Sequence, residues 1–207
     1  MIRTALTCLF VATAIILAGC AAQQSTRSGF LGNYDAMSTI DPKGNSISFT
    51  KPGLSTSRYT RFMLDPVVFD TGKDASARIS NDEITALKMD LETAVHKSFE
   101  GRFEHSTEPG PDVLRLRFAI TGVDKSNPQL NVALAILIVP LANGGAATEA
   151  EALDSMTGER LVAVVAHSTG SLLRGEFSGY FSEFGHARQH FMQQADGLRE
   201  RLMQARN

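Results

Sequence analysis

Leu114-Arg115-Leu116-Arg117-Phe118-Ala119-Ile120-Thr121 decides the fold. Large apolar residues take every second position, and Arg115, Arg117, Ala119 and Thr121 fill the places between. A period of two sends alternate side chains to opposite faces of a strand, so the stretch predicts a β-strand with one buried and one solvated face. Pro109-Gly110-Pro111 before it and Ser126-Asn127-Pro128 after it mark its limits. A strand of this kind needs a layer over its apolar face.

That layer is legible upstream. Ser80-Asn81-Asp82-Glu83 is a capping box, a serine N-cap with a glutamate three residues on. Ile84, Leu87, Leu91, Ala94 and Val95 follow at spacings of three and four, and Gly101 ends the run. An amphipathic helix is expected there. Further upstream, 61–69 (Arg-Phe-Met-Leu-Asp-Pro-Val-Val-Phe) reads as a strand. Pro66 cannot donate to a ladder, so it belongs at an edge, a bulge or the strand's end. Residues 70–77 read as a polar loop. Asp41 to Ser57 reads as loop around a short extended piece at Ile47-Ser48-Phe49.

Downstream, Leu130 to Ala142 is uncharged and apolar, yet at 13 residues and with Pro140 it is too short to span a bilayer. It reads as a buried helix, or as an apolar surface facing a ligand, a partner or the membrane. Ala147 to Leu153 and Leu161 to Ala166 flank Asp154-Ser155-Met156-Thr157-Gly158, a hairpin turn by its Asp, Ser and Gly. The second arm is apolar on both faces and should lie centrally. His167 to Gly175 reads as a loop. Phe184, Ala187, Phe191, Ala195, Leu198 and Leu202 then repeat at three and four, a second amphipathic helix with a basic, glutamine-rich outer face. The expected fold is one α+β domain: a mixed, mostly antiparallel sheet of four to five strands with two main helices packed on it.

The start of the chain carries an address. Arg3 precedes an apolar run from Ala5 to Ala18, the length of a secretory core segment, which leads into Leu17-Ala18-Gly19-Cys20. That ending resembles the bacterial lipobox, in which the cysteine is acylated and the peptide is cut before it. Residues 1–19 are thus read as a lipoprotein signal peptide, 20–29 as the lipidated N-terminus and tether, and 30–207 as the domain. Several acyl chains hold a protein on a membrane where one holds it only reversibly, at roughly 0.8 kcal/mol per buried CH₂. Ala21 in place of aspartate favours, by resemblance to the enterobacterial sorting rule, the outer membrane, with the domain facing the periplasm. Ser28-Gly29-Phe30-Leu31-Gly32-Asn33-Tyr34 is an apolar knot expected to dock Phe30, Leu31 and Tyr34 on the domain.

Composition narrows the classes. The chain has 207 residues and a formal charge of −2, without the basic surplus of a nucleic-acid binder. Its two cysteines are Cys8, in the signal, and Cys20. None is left for a disulfide or a thiolate site in an oxidising compartment.

Several short pieces, taken in order, carry a resemblance. The lipobox, 29–34, Tyr59 with Leu64-Asp65-Pro66-Val67, 111–116, 126–128 and Leu153-Asp154-Ser155-Met156-Thr157-Gly158-Glu159 are similar to a predicted proteobacterial lipoprotein family, domain of unknown function 3313. The resemblance covers nearly the whole mature chain. It implies the envelope address and no catalytic residues.

Candidate chemistry is sparse. His186 and His190 sit four apart, a spacing that can hold zinc, but a cation intervenes and the H-E-x-x-H glutamate is missing. Solvated surface histidines are the expectation. His167-Ser168 with Asp154 or Asp65 would make a hydrolytic triad, but strand neighbours point apart and no G-x-S-x-G elbow exists. Asp82 and Glu83 suit a helix N-terminus, and Asp90 and Glu92 a solvated face. Phe177, Tyr180, Phe181, Phe184 and Phe191 read as core in preference to a glycan platform. Arg115 and Arg117 are expected to meet Glu149 and Glu151 across the sheet, or an anionic partner. No catalytic, cofactor-binding or metal residue and no cofactor is expected, only lipidation at Cys20. The expected protein is a membrane-anchored, non-enzymatic interaction or assembly module with an envelope protein as partner. The alternatives are a carrier or sensor of an apolar ligand, walled by Leu130 to Ala142 and the aromatics, or a hydrolase or metal enzyme around His167 or His186 and His190.

Overall fold

The computed structural model describes residues 27–40, 45–71, 79–124, 145–169 and 184–206. The strands are β1 (Thr39–Ile40), β2 (Ser46–Thr50), β3 (Arg61–Leu64), β4 (Val68–Phe69), β5 (Glu104–His105), β6 (Val113–Asp124), β7 (Gly145–Asp154) and β8 (Arg160–Thr169). Two long helices accompany them among the described residues, α1 (Asn81–Phe99) and α2 (Gly185–Gln204). All eight strands join one open sheet in the order β1-β2-β8-β7-β6-β3-β5, with β4 pairing β6 beyond β3.

The α+β single-domain reading holds, and the sheet is larger than expected. Four pairings are antiparallel, β1 with β2, β2 with β8, β8 with β7 and β7 with β6. The other three, β3 with β5, β3 with β6 and β4 with β6, are parallel. Strands β1, β4 and β5 have two residues each, too few to show a period of two. The parallel character comes from α1, which carries the chain from β3 back to β6 in a crossover. Pro66 lies in the interruption between β3 and β4, where no ladder bond is asked of it.

Helix α1 starts as its residues dictate. The Ser80 hydroxyl accepts from the Glu83 amide, and the Glu83 carboxylate accepts from Ser80 N–H at 2.8 Å. It ends two residues before Gly101, whose φ of 73° is the left-handed conformation a helix exit uses. Leu87, Leu91, Val95 and Phe99 of α1 and Phe191, Ala195, Leu198 and Leu202 of α2 form one core with Leu114, Leu116, Phe118 and Ile120 of β6. Small residues Ala150 and Ala152 on β7 leave room for α2, which packs on β7 and β8. Polar links tie the helices: Arg188 to Asp90 at 2.7 Å, and Ser98 to Asp196 at 2.8 Å.

The opposite face is not solvated along its length. Leu31, Tyr34 and Met37 cover Ala163 and Val165, with Phe30, Ile47 and Phe49 packed alongside. Arg115 is exposed as expected, but Ala119, Glu149 and Glu151 are buried. Strand β8 is apolar on both faces and lies inside the sheet, as its sequence predicts. It runs to Thr169, so His167 and Ser168 belong to the strand and not to a loop. Residues 130–142, Phe177, Tyr180 and Phe181 lie outside the described residues, as do residues 1–26.

The hairpin turn is built on Asp154. Its Oδ1 accepts from the N–H groups of Met156 and Thr157, both at 2.9 Å, and its Oδ2 accepts from Tyr59 Oη at 2.7 Å and from Arg58. Burial alone would raise this carboxyl, but Tyr59 and the turn amides outweigh it and hold it below its ordinary range. A carboxyl depressed on folding adds stability that is present above the unfolded pKa and lost as pH falls through the folded one. Asp154→Asn should cost about 2 kcal/mol at neutral pH and flatten the loss of stability below about pH 4, both read from urea unfolding across pH. An unchanged acid limb would show that the turn does not depend on this charge.

Candidate functional site

Strand β7 carries three buried carboxylates, and each draws in a distant piece of chain. Glu149 and Glu151 are 0% and 1% exposed. A buried carboxylate is costly unless it is paired and hydrogen-bonded. Glu149 accepts from Ser28 N–H at 2.6 Å and from Tyr34 Oη at 2.5 Å. Burial, and then the bond to Glu149, raise the Tyr34 phenol, which keeps it a donor. Glu151 accepts from Arg160 Nε at 2.7 Å and from Arg117 Nη1.

The two arginines then bind the N-terminal segment. Arg160 donates to the carbonyl oxygens of Asn33, at 2.8 Å, and of Leu31. The Arg117 guanidinium lies 4.8 Å from the centre of the Phe30 ring, a cation–π contact. Residues 28–34 thus form a strap, fastened by side chains at its start, middle and end. The expected docking of Phe30, Leu31 and Tyr34 is observed, with Leu31 and Tyr34 buried. Pairing of Arg117 with Glu151 is also as expected. Arg115 instead takes Asp65, with Nη2 to Oδ2 at 2.8 Å, because parallel β3 and the turn after it bring Asp65 beside β6.

A second feature is a groove of about 850 Å³ between α2 and the β2–β8 edge, lined mainly by amides, hydroxyls and imidazoles such as Asn45, Ser168, Gln193 and His190. His186, His190 and Gln194 recur every four residues on α2, all at 3% exposure. They are not solvated surface residues. His190 Nε2 lies 2.9 Å from Thr148 Oγ1, and Gln194 Nε2 donates to the Val164 carbonyl at 3.3 Å. Burial pushes the His190 imidazole down to about 4, and nearby His167 adds to the shift. The polar stripe runs one position ahead of Ala187, Phe191 and Ala195. A helix packed against both a sheet and a second helix buries an arc wider than its apolar stripe, which spacing alone does not reveal.

The imagined triad does not assemble. Alternation along β8 sets His167 and Ser168 on opposite faces. His167 pairs with Ala147, seven residues along β7 from Asp154, which corresponds to roughly 23 Å of strand. Asp154 is taken by Arg58, Tyr59 and the turn, and Asp65 by Arg115. No group of three or more metal-ligating side chains occurs among the described residues. Asp82 and Glu83 sit in the first turn of α1 as expected, and Phe184 and Phe191 belong to the core. Cys20 lies outside the described residues.

Two outcomes test this geometry. Tyr34→Phe should cost about 1–2 kcal/mol, since Glu149 loses a buried donor, and should speed limited proteolysis between residues 27 and 37. For His190, the folded form titrates at about 4 against 6.5 unfolded, so the unfolded chain takes the proton first. Stability should therefore fall by about 3 kcal/mol as pH drops from 6.5 to 4. His190→Gln, which keeps an amide for Thr148, should remove most of that slope in chemical unfolding; an unaltered slope would refute the assignment.

Comparison with known proteins places the chain. Among solved structures it is similar to a PelC dodecamer from Paraburkholderia phytofirmans, at TM-score 0.47 and 9% identity over 75% of this chain and 98% of that one. It is also similar to the hypothetical protein CT253 from Chlamydia trachomatis, at TM-score 0.42 and 11% identity over 69% of this chain and 96% of that one. Protein XCC0632 from Xanthomonas campestris gives TM-score 0.43 and 11% identity over 75% and 90% of the two chains. No curated protein matches. A family model described as a protein of unknown function, DUF3313, matches residues 26–198, well over half of the sequence, and the chain belongs to that family.

Proposed function

We propose that this protein is a lipid-anchored envelope lipoprotein whose α+β domain acts as a non-enzymatic interaction or assembly module in the periplasm, held at the outer membrane through Cys20. The observation that carries the reading is Leu17-Ala18-Gly19-Cys20 at the end of an apolar leader, followed eight residues later by Ser28, where the strap begins. Eight residues of extended chain reach at most roughly 29 Å. An acylated Cys20 would therefore keep the strapped face of the sheet within a short distance of the lipid headgroups. The strap makes this reach meaningful, because the tether enters the fold at a fixed point, the Glu149 carboxylate, and not at a loose end.

No helix among the described residues is long and apolar enough to cross a membrane, so the reading assigns attachment to the lipid alone. The non-enzymatic part is supported by the dispersal of His167, Ser168, Asp154 and Asp65 and by the use of each carboxylate of β7 in holding the fold. The described groove is lined mainly by polar groups, which favours contact with a polar partner over carriage of an apolar ligand.

Cys20→Ser tests the anchor. The variant should accumulate as an unprocessed precursor and incorporate no labelled palmitate. Unchanged lipid labelling of the variant would overturn the reading, and crosslinking of the wild-type domain in cells should yield an envelope protein that Cys20→Ser no longer captures.

A further inference from the structure

The chain has five histidines. His167, His186 and His190 belong to the β8–α2 region already described, and His96 and His105 lie elsewhere. His96 is in the last turn of α1, and His105 is in β5 at the sheet's edge. Both are exposed. Their ring centres are 5.0 Å apart with planes inclined at 59°. Phe62, buried on the strand next to β5, lies beneath both, 5.6 Å from the His96 ring and 5.5 Å from the His105 ring.

We infer that His96 and His105 form a surface site for a divalent transition-metal ion, bound by two imidazoles. The separation of the rings is one that a shared ion permits. With Zn–N bonds near 2.0–2.1 Å the ion lies roughly 3.2 Å from each ring centre, and at ligand angles of about 90–110° the two centres fall roughly 4.5–5.2 Å apart. The observed separation falls inside that range. Phe62 fixes the base of both rings, which lowers the ordering cost of bringing two ligands together. His96 sits at the negative end of α1, where a cation is favoured, while the exposed charges adjoining the pair in sequence balance, Glu100 and Glu104 against Lys97 and Arg102.

The chemistry of the pair selects the ion. Neutral imidazole suits Cu²⁺, Ni²⁺ and Zn²⁺, with Cu²⁺ bound most tightly. No third protein ligand joins the pair among the described residues, so water completes the coordination and the ion exchanges readily. His105 follows His96 by nine positions, across a helix end, a glycine turn and a strand, so no sequence spacing announces them.

The test titrates Cu²⁺, and separately Zn²⁺, into the purified full chain in a non-coordinating buffer, followed by calorimetry. One ion per chain should bind. His96→Ala and His105→Ala should each weaken binding by at least roughly tenfold, the loss of a second ligand held at high effective concentration. His96→Gln and His105→Gln serve where an alanine variant loses its thermal transition. Substoichiometric Cu²⁺ should broaden the imidazole resonances of His96 and His105 before those of the other three. Wild-type affinity in both variants, or broadening that begins at His190 or His167, would overturn the assignment.

Discussion

Three carboxylates on one strand have to be satisfied inside the fold, and much of the molecule is arranged to satisfy them. Glu149, Glu151 and Asp154 lie on β7, between β6 and β8, where water does not reach them. Stripping such a group of its partners costs about 3–5 kcal/mol, a large share of the stability of an ordinary domain. Besides the turn amides of Met156 and Thr157, their partners come from four separate places: residues 28–34, residues 58–59, β6 and the start of β8. The carboxylates therefore act as fasteners between parts of the chain that local preference would leave independent.

The strap shows how one such fastener shapes the surface. A sheet with helices on one face exposes the other, and the outward residues Ala163, Val165, Ile47 and Phe49 would form an apolar strip. Residues 28–37 cover that strip, and Glu149, Arg160 and Arg117 hold them there. The cover is short, so its apolar area alone is small; the buried ionic contacts give it direction and register. In the proposed anchored arrangement, load on the tether enters the fold at Glu149, on the interior strand β7.

Helix α2 divides the same way. Its apolar stripe closes the core against β7, β8 and α1, as its spacing predicts. The adjoining stripe of His186, His190 and Gln194 is equally buried yet looks like an outer face in the sequence, because a period of 3.6 reports where apolar residues recur and not how wide an arc the neighbours cover. The candidate site was less legible than the fold for a related reason. Glu149 and Glu151 alternate along a strand as solvated residues do, and only the return of residues 28–34 across that face turns them into buried acceptors. His96 and His105 share no motif at all and meet because β5 extends the sheet beside the end of α1.

Elements whose signals are short-ranged can be read directly along the chain. The capping box set the start of α1, the alternation at 114–120 set β6, and Asp154 and Gly158 set the hairpin. Tertiary structure decided what depends on distance between unrelated segments. It chose parallel partners for β6, because the α1 crossover returns the chain beside β3. It added two-residue strands too short to have a period. It also gave Arg115 to Asp65 in place of Glu149 or Glu151, and assigned Glu149 to the strap. Pairing of charges follows proximity in space, and burial follows whatever covers a face; neither quantity is written in the spacing of residues along one element.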